Sequence, residues 1–189
     1  MTSTTMMRCF IAVDLASQEC LDRIKDAQDK LASTGADLKL VERQNLHITL
    51  RFLGEISQTQ VQKIMEQMKK VGMSKFEVAL EGMGAFPDIR RPNVVWVGIT
   101  KGARELSELF RKLEPEIVKL GLPPDRRGFS AHLTIGRVRT GRNRQQLVNV
   151  ISSYENRSFG SFIAESMKLE RSLLLSRGPE YTVLYEVHA

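Results

Sequence analysis

Two stretches of the chain alternate polar and apolar residues with the period of a half-buried strand. One is Asn45-Leu46-His47-Ile48-Thr49-Leu50-Arg51-Phe52 and the other Ser130-Ala131-His132-Leu133-Thr134-Ile135-Gly136-Arg137. Residues two apart on a strand share a face. His47 and Thr49 therefore point one way, with Ile48 and Leu50 opposite. His132 and Thr134 share a face in the same manner, with Leu133 and Ile135 behind them. The pattern predicts an imidazole and a hydroxyl in a groove, on each of two strands whose backs pack into the core.

The rest of the pattern alternates helices with strands. Residues 8–14 form a short apolar run and read as a strand. Ser17 reads as a helix N-cap, Leu21, Ile24, Gln28 and Leu31 follow at helical spacing, and Gly35 is a C-terminal stop. Residues 38–41 predict a brief strand before the first motif strand, which ends near Gly54. Ser57 with Gln60 forms a capping box, and Val61, Ile64, Met65 and Met68 give the following helix one apolar face. Residues 75–80 alternate like a strand, and 82–92, rich in Gly and Pro, read as a loop. Residues 94–99 are a strand holding Trp96, which could stack on a base but whose apolar neighbours favour the core. Leu106, Leu109, Phe110, Leu113 and Ile117 mark a third helix, with Pro115 expected to kink or divide it. Residues 121–128 are a loop and 142–153 a fourth helix. Three strands, near 158–164, 167–175 and 181–187, close the pattern.

Strand, helix, motif strand, helix thus occurs twice, with extra strands, a weak repeat of about half the chain. The fold class is α+β: two pseudo-symmetric lobes of mostly antiparallel sheet with outer helices, and a central cleft carrying the two His-x-Thr motifs. Residues 1–189 read as one two-lobed domain, with 1–7 a flexible leader that lacks the apolar segment of a secretion signal.

Composition adds a partner. The formal charge is +6 over 189 residues, with a pI near 9.5. This favours a polyanion, nucleic acid first, although a basic protein can also simply be soluble. The basic pairs Arg90-Arg91 and Arg126-Arg127, with Arg139, Arg142 and Arg144, fit phosphate contacts or a solvated basic face. Cys9 and Cys20 lack metal-like spacing and read as reduced thiols of a cytoplasmic protein, with a buried disulfide as the alternative. No apolar run approaches a membrane span, and nothing in the sequence calls for more than a monomer.

The paired His-x-Thr-x motifs resemble those of the 2H phosphoesterases. The fuller similarity is to the RNA 2′,3′-cyclic phosphodiesterase branch, long called 2′-5′ RNA ligases. Arg8-Cys9-Phe10-Ile11-Ala12-Val13-Asp14 resembles that branch's opening strand, and residues 46–54 and 129–137 its two motif strands. The resemblance implies a two-lobed fold, no metal or other cofactor, and an RNA ending in a 2′,3′-cyclic phosphate, tRNA fragments included, as substrate. It implies His47 as proton donor, His132 as proton acceptor, and Arg137 as a phosphate ligand.

The residues support that chemistry directly. Histidine titrates near neutrality, so a pair can supply one acid and one base. Hydrolysis of a cyclic phosphate needs a water deprotonated on one side and a ribose oxygen protonated on the other. Thr49 and Thr134 can donate to the non-bridging oxygens, where charge sits. Arg137 lies an odd number of residues from His132, so a regular strand turns it away, and a bulge at Gly136 would turn it back. Arg51 shares parity with His47 and is expected in the groove, whereas Phe52 is expected in the core.

Other readings are weaker. Two histidines do not complete a zinc site, and neither motif contains Cys, Asp or Glu. His188 is a third candidate ligand, next to the C-terminus. There is no nucleophile elbow and no Gly-rich phosphate loop. Two alternatives keep the groove: ATP-independent 2′-5′ ligation, with a ribose hydroxyl attacking in place of water, and an RNA-binding module without turnover.

Overall fold

A computed structural model describes residues 6–176 and 178–189. Its elements, in chain order, are β1 (Met6–Asp14), α1 (Gln18–Ser33), β2 (Leu38–Leu40), a 3-10 turn (Arg43–Asn45), β3 (His47–Ser57), α2 (Gln58–Val71), β4 (Phe76–Asp88), β5 (Arg91–Lys101), α3 (Ala103–Lys119), β6 (His132–Val138), α4 (Arg144–Ser153), β7 (Ser158–Ala164), β8 (Ser166–Leu175) and β9 (Gly178–His188). The first strand begins at Met6, inside the stretch read as a leader; residues 1–5 lie outside the described residues.

The local signals act as their chemistry requires. The Ser17 hydroxyl accepts from the Cys20 amide and caps α1. Ser57 and Gln60 form the reciprocal capping box of α2. Gly35, in the left-handed region just past α1, ends that helix.

Two expectations are corrected. The Gly- and Pro-rich segment 82–92 is mostly strand: β4 runs to Asp88 and β5 starts at Arg91. The Asp88 carboxylate accepts from the amides of Arg90 and Arg91, so an Asx-type turn closes the hairpin and no long loop is needed. Pro115 does not divide α3, which continues through it to Lys119. The proline is exposed, so water can satisfy the carbonyl it leaves without a donor.

Two antiparallel sheets result, with strand orders β3-β1-β8-β9 and β2-β6-β5-β4-β7. Each draws on both halves of the chain. The C-terminal hairpin β8–β9 returns to pair with β1, and β4 lies with β5 in the other sheet. The helices cross over as well: α1 packs on β7 and β6, whereas α3 packs on α2 and β3. Ile24, Leu31, Ile48, Ile64, Leu106, Ile117, Leu133, Ile135 and Leu169, all fully buried, belong to one apolar core that reaches both sheets. The motif strands β3 and β6 belong to different sheets but lie side by side, with Cα atoms within 8 Å. The backs of both motifs are in the core, which leaves the two histidines on the face between the sheets.

Candidate active site

Both motif strands begin at their histidine, and both rings are held by one device. His47 Nδ1 is 2.8 Å from the Asn45 carbonyl, and His132 Nδ1 is 2.7 Å from the Ser130 carbonyl, each two residues upstream. A carbonyl oxygen only accepts, so Nδ1 carries the proton in each neutral ring and Nε2 is left to exchange protons. His47 Nε2 lies 3.0 Å from Thr49 Oγ1, and the hydroxyl donates to it. Asn45, buried in the 3-10 turn, also donates through Nδ2 to the Pro179 carbonyl at 3.1 Å, tying His47 to the start of β9.

Both strands also carry a bulge at the same place. On β6, Trp96 of β5 faces Thr134 and Val95 faces Gly136, so Ile135 is the extra residue. On β3, Ala12 of β1 faces Thr49 and Ile11 faces Arg51, so Leu50 is the extra residue. An extra residue reverses the facing of everything after it. Arg137 is thereby exposed on the face of His132 and Thr134.

The same shift corrects the reading of the first copy. Phe52, the counterpart of Arg137, is 48% exposed on the groove face, its ring 6.3 Å from that of Phe10. Arg51 is buried instead. Its guanidinium pairs with Glu114 of α3 and donates to the carbonyls of Phe52 and, at 2.6 Å, Pro123. Glu114 in turn accepts from the Asp125 amide at 2.7 Å. Arg51 is thus a strut from the first motif strand to the loop that leads into the second.

Trp96 is corrected too. It is half-buried on the same face of the sheet as its partner Thr134, opposite the core residues Val95 and Val97. It lies flat against Gly84, where a Cβ would come within 2.3 Å of the indole. The rings of Phe86 and Trp96 stand edge-on to His132, at 4.9 and 6.5 Å. Alternation could not reveal this, because Trp96 is as apolar as Val95 and Val97 on the opposite face.

Sequence reasoning also passed over the aromatic wall around His47. Phe10 stacks on the imidazole at 4.9 Å, and Tyr181 meets both rings edge-on, at 5.4 Å from His47 and 4.9 Å from Phe10. Burial pushes the Tyr181 hydroxyl above its usual range. The Glu170 charge adds to this, and Arg137 and Arg8 oppose it. Arg137, from the second copy, therefore reaches with its field the wall of the first histidine.

Burial holds both imidazoles below the ordinary 6.5. The hydrogen bond to the Asn45 carbonyl and the Asp14 carboxylate, whose residue faces His47 across β1 and β3, oppose the shift at His47. At His132 only the Ser130 carbonyl does so. Beside His47 lies a cavity of about 500 Å³, lined among others by Asp14, Glu42, Asn45, Glu170, Tyr181 and Val183. Among the described residues, no group of three or more His, Cys, Asp or Glu side chains is disposed to hold a metal ion, and no helix is long and apolar enough to cross a membrane. His188 is exposed at the end of β9, 3.7 Å from Glu186.

Comparison with known proteins agrees with the duplicated site. The sequence model of the family described as "LigT like Phosphoesterase" matches twice, over residues 13–96 and 97–181, and each match holds one motif. A protein of Aeropyrum pernix named RNA 2′,3′-cyclic phosphodiesterase is 38% identical over 167 residues, which cover 88% of this chain and 95% of that protein. One of the same name from Methanothermobacter thermautotrophicus is 38% identical over 178 residues, covering 93% and 95%. The crystal structure of Escherichia coli LigT in apo form superposes with a TM-score of 0.79 at 25% identity, covering 98% of each chain.

Proposed function

The chain belongs to the LigT-like phosphoesterase family, and from that premise we propose that it is an RNA 2′,3′-cyclic phosphodiesterase. Water attacks the cyclic phosphorus, the bond to the ribose 3′-oxygen breaks, and the product is a 2′-phosphate. His132 takes the proton of the attacking water through Nε2, and His47 gives one to the departing oxygen. Once His47 Nε2 carries its proton the Thr49 hydroxyl no longer donates to that nitrogen, and Thr49 and Thr134 donate to the non-bridging oxygens. Arg137 pairs with the phosphate, for which a planar guanidinium offers two parallel donors.

The matched anchoring of the two rings carries this reading: each Nδ1 donates to the carbonyl two residues upstream, which makes Nε2 the titrating nitrogen in both. The assignment of the acid follows the resemblance to the family, and Asp14 is in keeping with it although burial outweighs it at His47. The Asp14 carboxylate favours the protonated form of His47, whereas no acidic side chain acts on His132. The exposed arginines at 90, 91, 126, 127, 139, 142 and 144 would hold the RNA strand. On this reading its substrates include tRNA fragments ending in the cyclic phosphate. The protein works as a monomer in the cytoplasm, a compartment in keeping with two buried, unpaired cysteines.

The test is turnover of a short RNA ending in a 2′,3′-cyclic phosphate, in EDTA. Wild type should yield the 2′-phosphate. His47→Ala and His132→Ala should each lose on the order of 10²–10⁴ in kcat. Binding of the RNA by folded wild type without any product would overturn the enzyme and leave a binding module.

A further inference from the structure

Gln28 interrupts the apolar face of α1. It stands in series with Leu21, Ile24 and Leu31 and is buried with them. A leucine there would extend the face, whereas a buried amide is costly unless its hydrogens are used. Both are used. Gln28 Nε2 donates to the Ile135 carbonyl and to the Val41 carbonyl, each at 2.8 Å. Ile135 is the extra residue of the bulge in β6. Its carbonyl also accepts from the Val41 amide at 3.0 Å. Gln28 and Val41 thus close a ring of hydrogen bonds on the residue that turns Arg137 toward the groove. The first copy is held in a like place. There the residue after the extra one, Arg51, pairs with Glu114 of α3, the helix packed on β3. Each bulge is gripped by a polar side chain from the helix behind its strand.

We propose that Gln28 is a positioning residue for phosphate binding: it holds the bulge at Ile135 and so keeps the Arg137 guanidinium on the face of His132 and Thr134. The inference rests on the reading of Arg137 as the phosphate ligand. The two facings of Arg137 differ by one residue of register. If β6 slipped into a regular ladder, the Ile135 carbonyl would swing away and leave a Gln28 N–H buried without an acceptor. That penalty favours the bulged strand. Gln28 bonds only to backbone, and both histidines keep their own anchors on Asn45 and Ser130. Its effect on turnover therefore passes through the arginine.

The test is a double-mutant cycle in kcat/KM on the full chain, with a short RNA ending in a 2′,3′-cyclic phosphate: wild type, Gln28→Met, Arg137→Ala and the double variant. Methionine fills the space of glutamine without a donor. Gln28→Met should lose about 10- to 100-fold, the scale of a small misplacement of a substrate-holding group. Both limbs of its pH profile should stay where wild type has them. In the Arg137→Ala background the same change should cost no more than about twofold, because no guanidinium is left to misplace. Equal losses in the two backgrounds, a displaced pH limb, or a folded Gln28→Met with wild-type kcat/KM would each overturn the role. If Gln28→Met does not fold, Gln28→Glu enters the same cycle under the same criteria, since a carboxyl offers at most one donor to the two carbonyls. If wild type turns over no cyclic phosphate, the phosphodiesterase reading fails by itself, and the cycle is read from calorimetric binding of adenosine 2′-monophosphate. Coupled losses of affinity support the role of Gln28, additive losses overturn it, and no binding by wild type overturns it together with that of Arg137.

Discussion

A proton on Nδ1 of each neutral ring leaves Nε2 as the basic nitrogen of both histidines, and burial favours the neutral form. The pH dependence follows with a definite sign. In the free enzyme His47 must hold a proton to act as acid, and its folded pKa lies below 6.5. The profile of kcat/KM, which reports the free enzyme, should therefore peak below pH 6.5 and fall through neutrality. The profile of kcat should peak higher, because a bound phosphate anion favours the charged imidazole. A kcat/KM maximum above neutrality would contradict the acid role of His47. Glu170 gives a stability prediction. Burial pushes its carboxyl from 4.5 up to about 7, with the Asp14 charge adding to the shift. A raised folded pKa stabilises below the unfolded value, and that contribution is lost as pH rises through the folded one. Replacing Glu170 by Met should therefore stabilise the protein by about 1–3 kcal/mol at pH 8 and by less at pH 5, as read by urea unfolding.

Elements record how far alternation can be read. The motif strands were legible because His, Thr and their apolar partners keep period two until Leu50 and Ile135. Beyond those residues the bulges break the period. A glycine marked the one in β6. In β3 the residue after the extra one is an arginine, and nothing in the sequence announced the change, so Arg51 and Phe52 exchanged their expected faces. The strut that Arg51 makes with Glu114 was hidden for the same reason, since its partner lies on a helix 63 residues away. Breaking a buried ion pair from one side strands the other charge. Arg51→Ala should cost about 3–5 kcal/mol in denaturant unfolding. It should also speed proteolysis in the loop at 120–131, whose Pro123 and Asp125 the strut holds. Arg51→Ala with Glu114→Ala should cost less than the sum of the two single changes.

At the scale of the molecule, the α+β class and the twofold order of elements were legible, because the periods of helix and strand differ and the motif recurs. The distribution of strands between the sheets was not. Nothing local tells β4 to join β5, or β8 and β9 to return to β1; pairing is decided by which apolar faces meet. A circuit of this kind has a cost in time. Cys9 at one end of the chain pairs with Arg171 at the other, and the cavity wall beside His47 is finished by Tyr181. During synthesis the strand that supports the first histidine waits, without a neighbour on one side, until the segment from Ser166 has left the ribosome. The nascent chain thus holds both His-x-Thr motifs long before the wall beside His47 is complete, and a ribosome stalled before Ser166 would display an open strand edge.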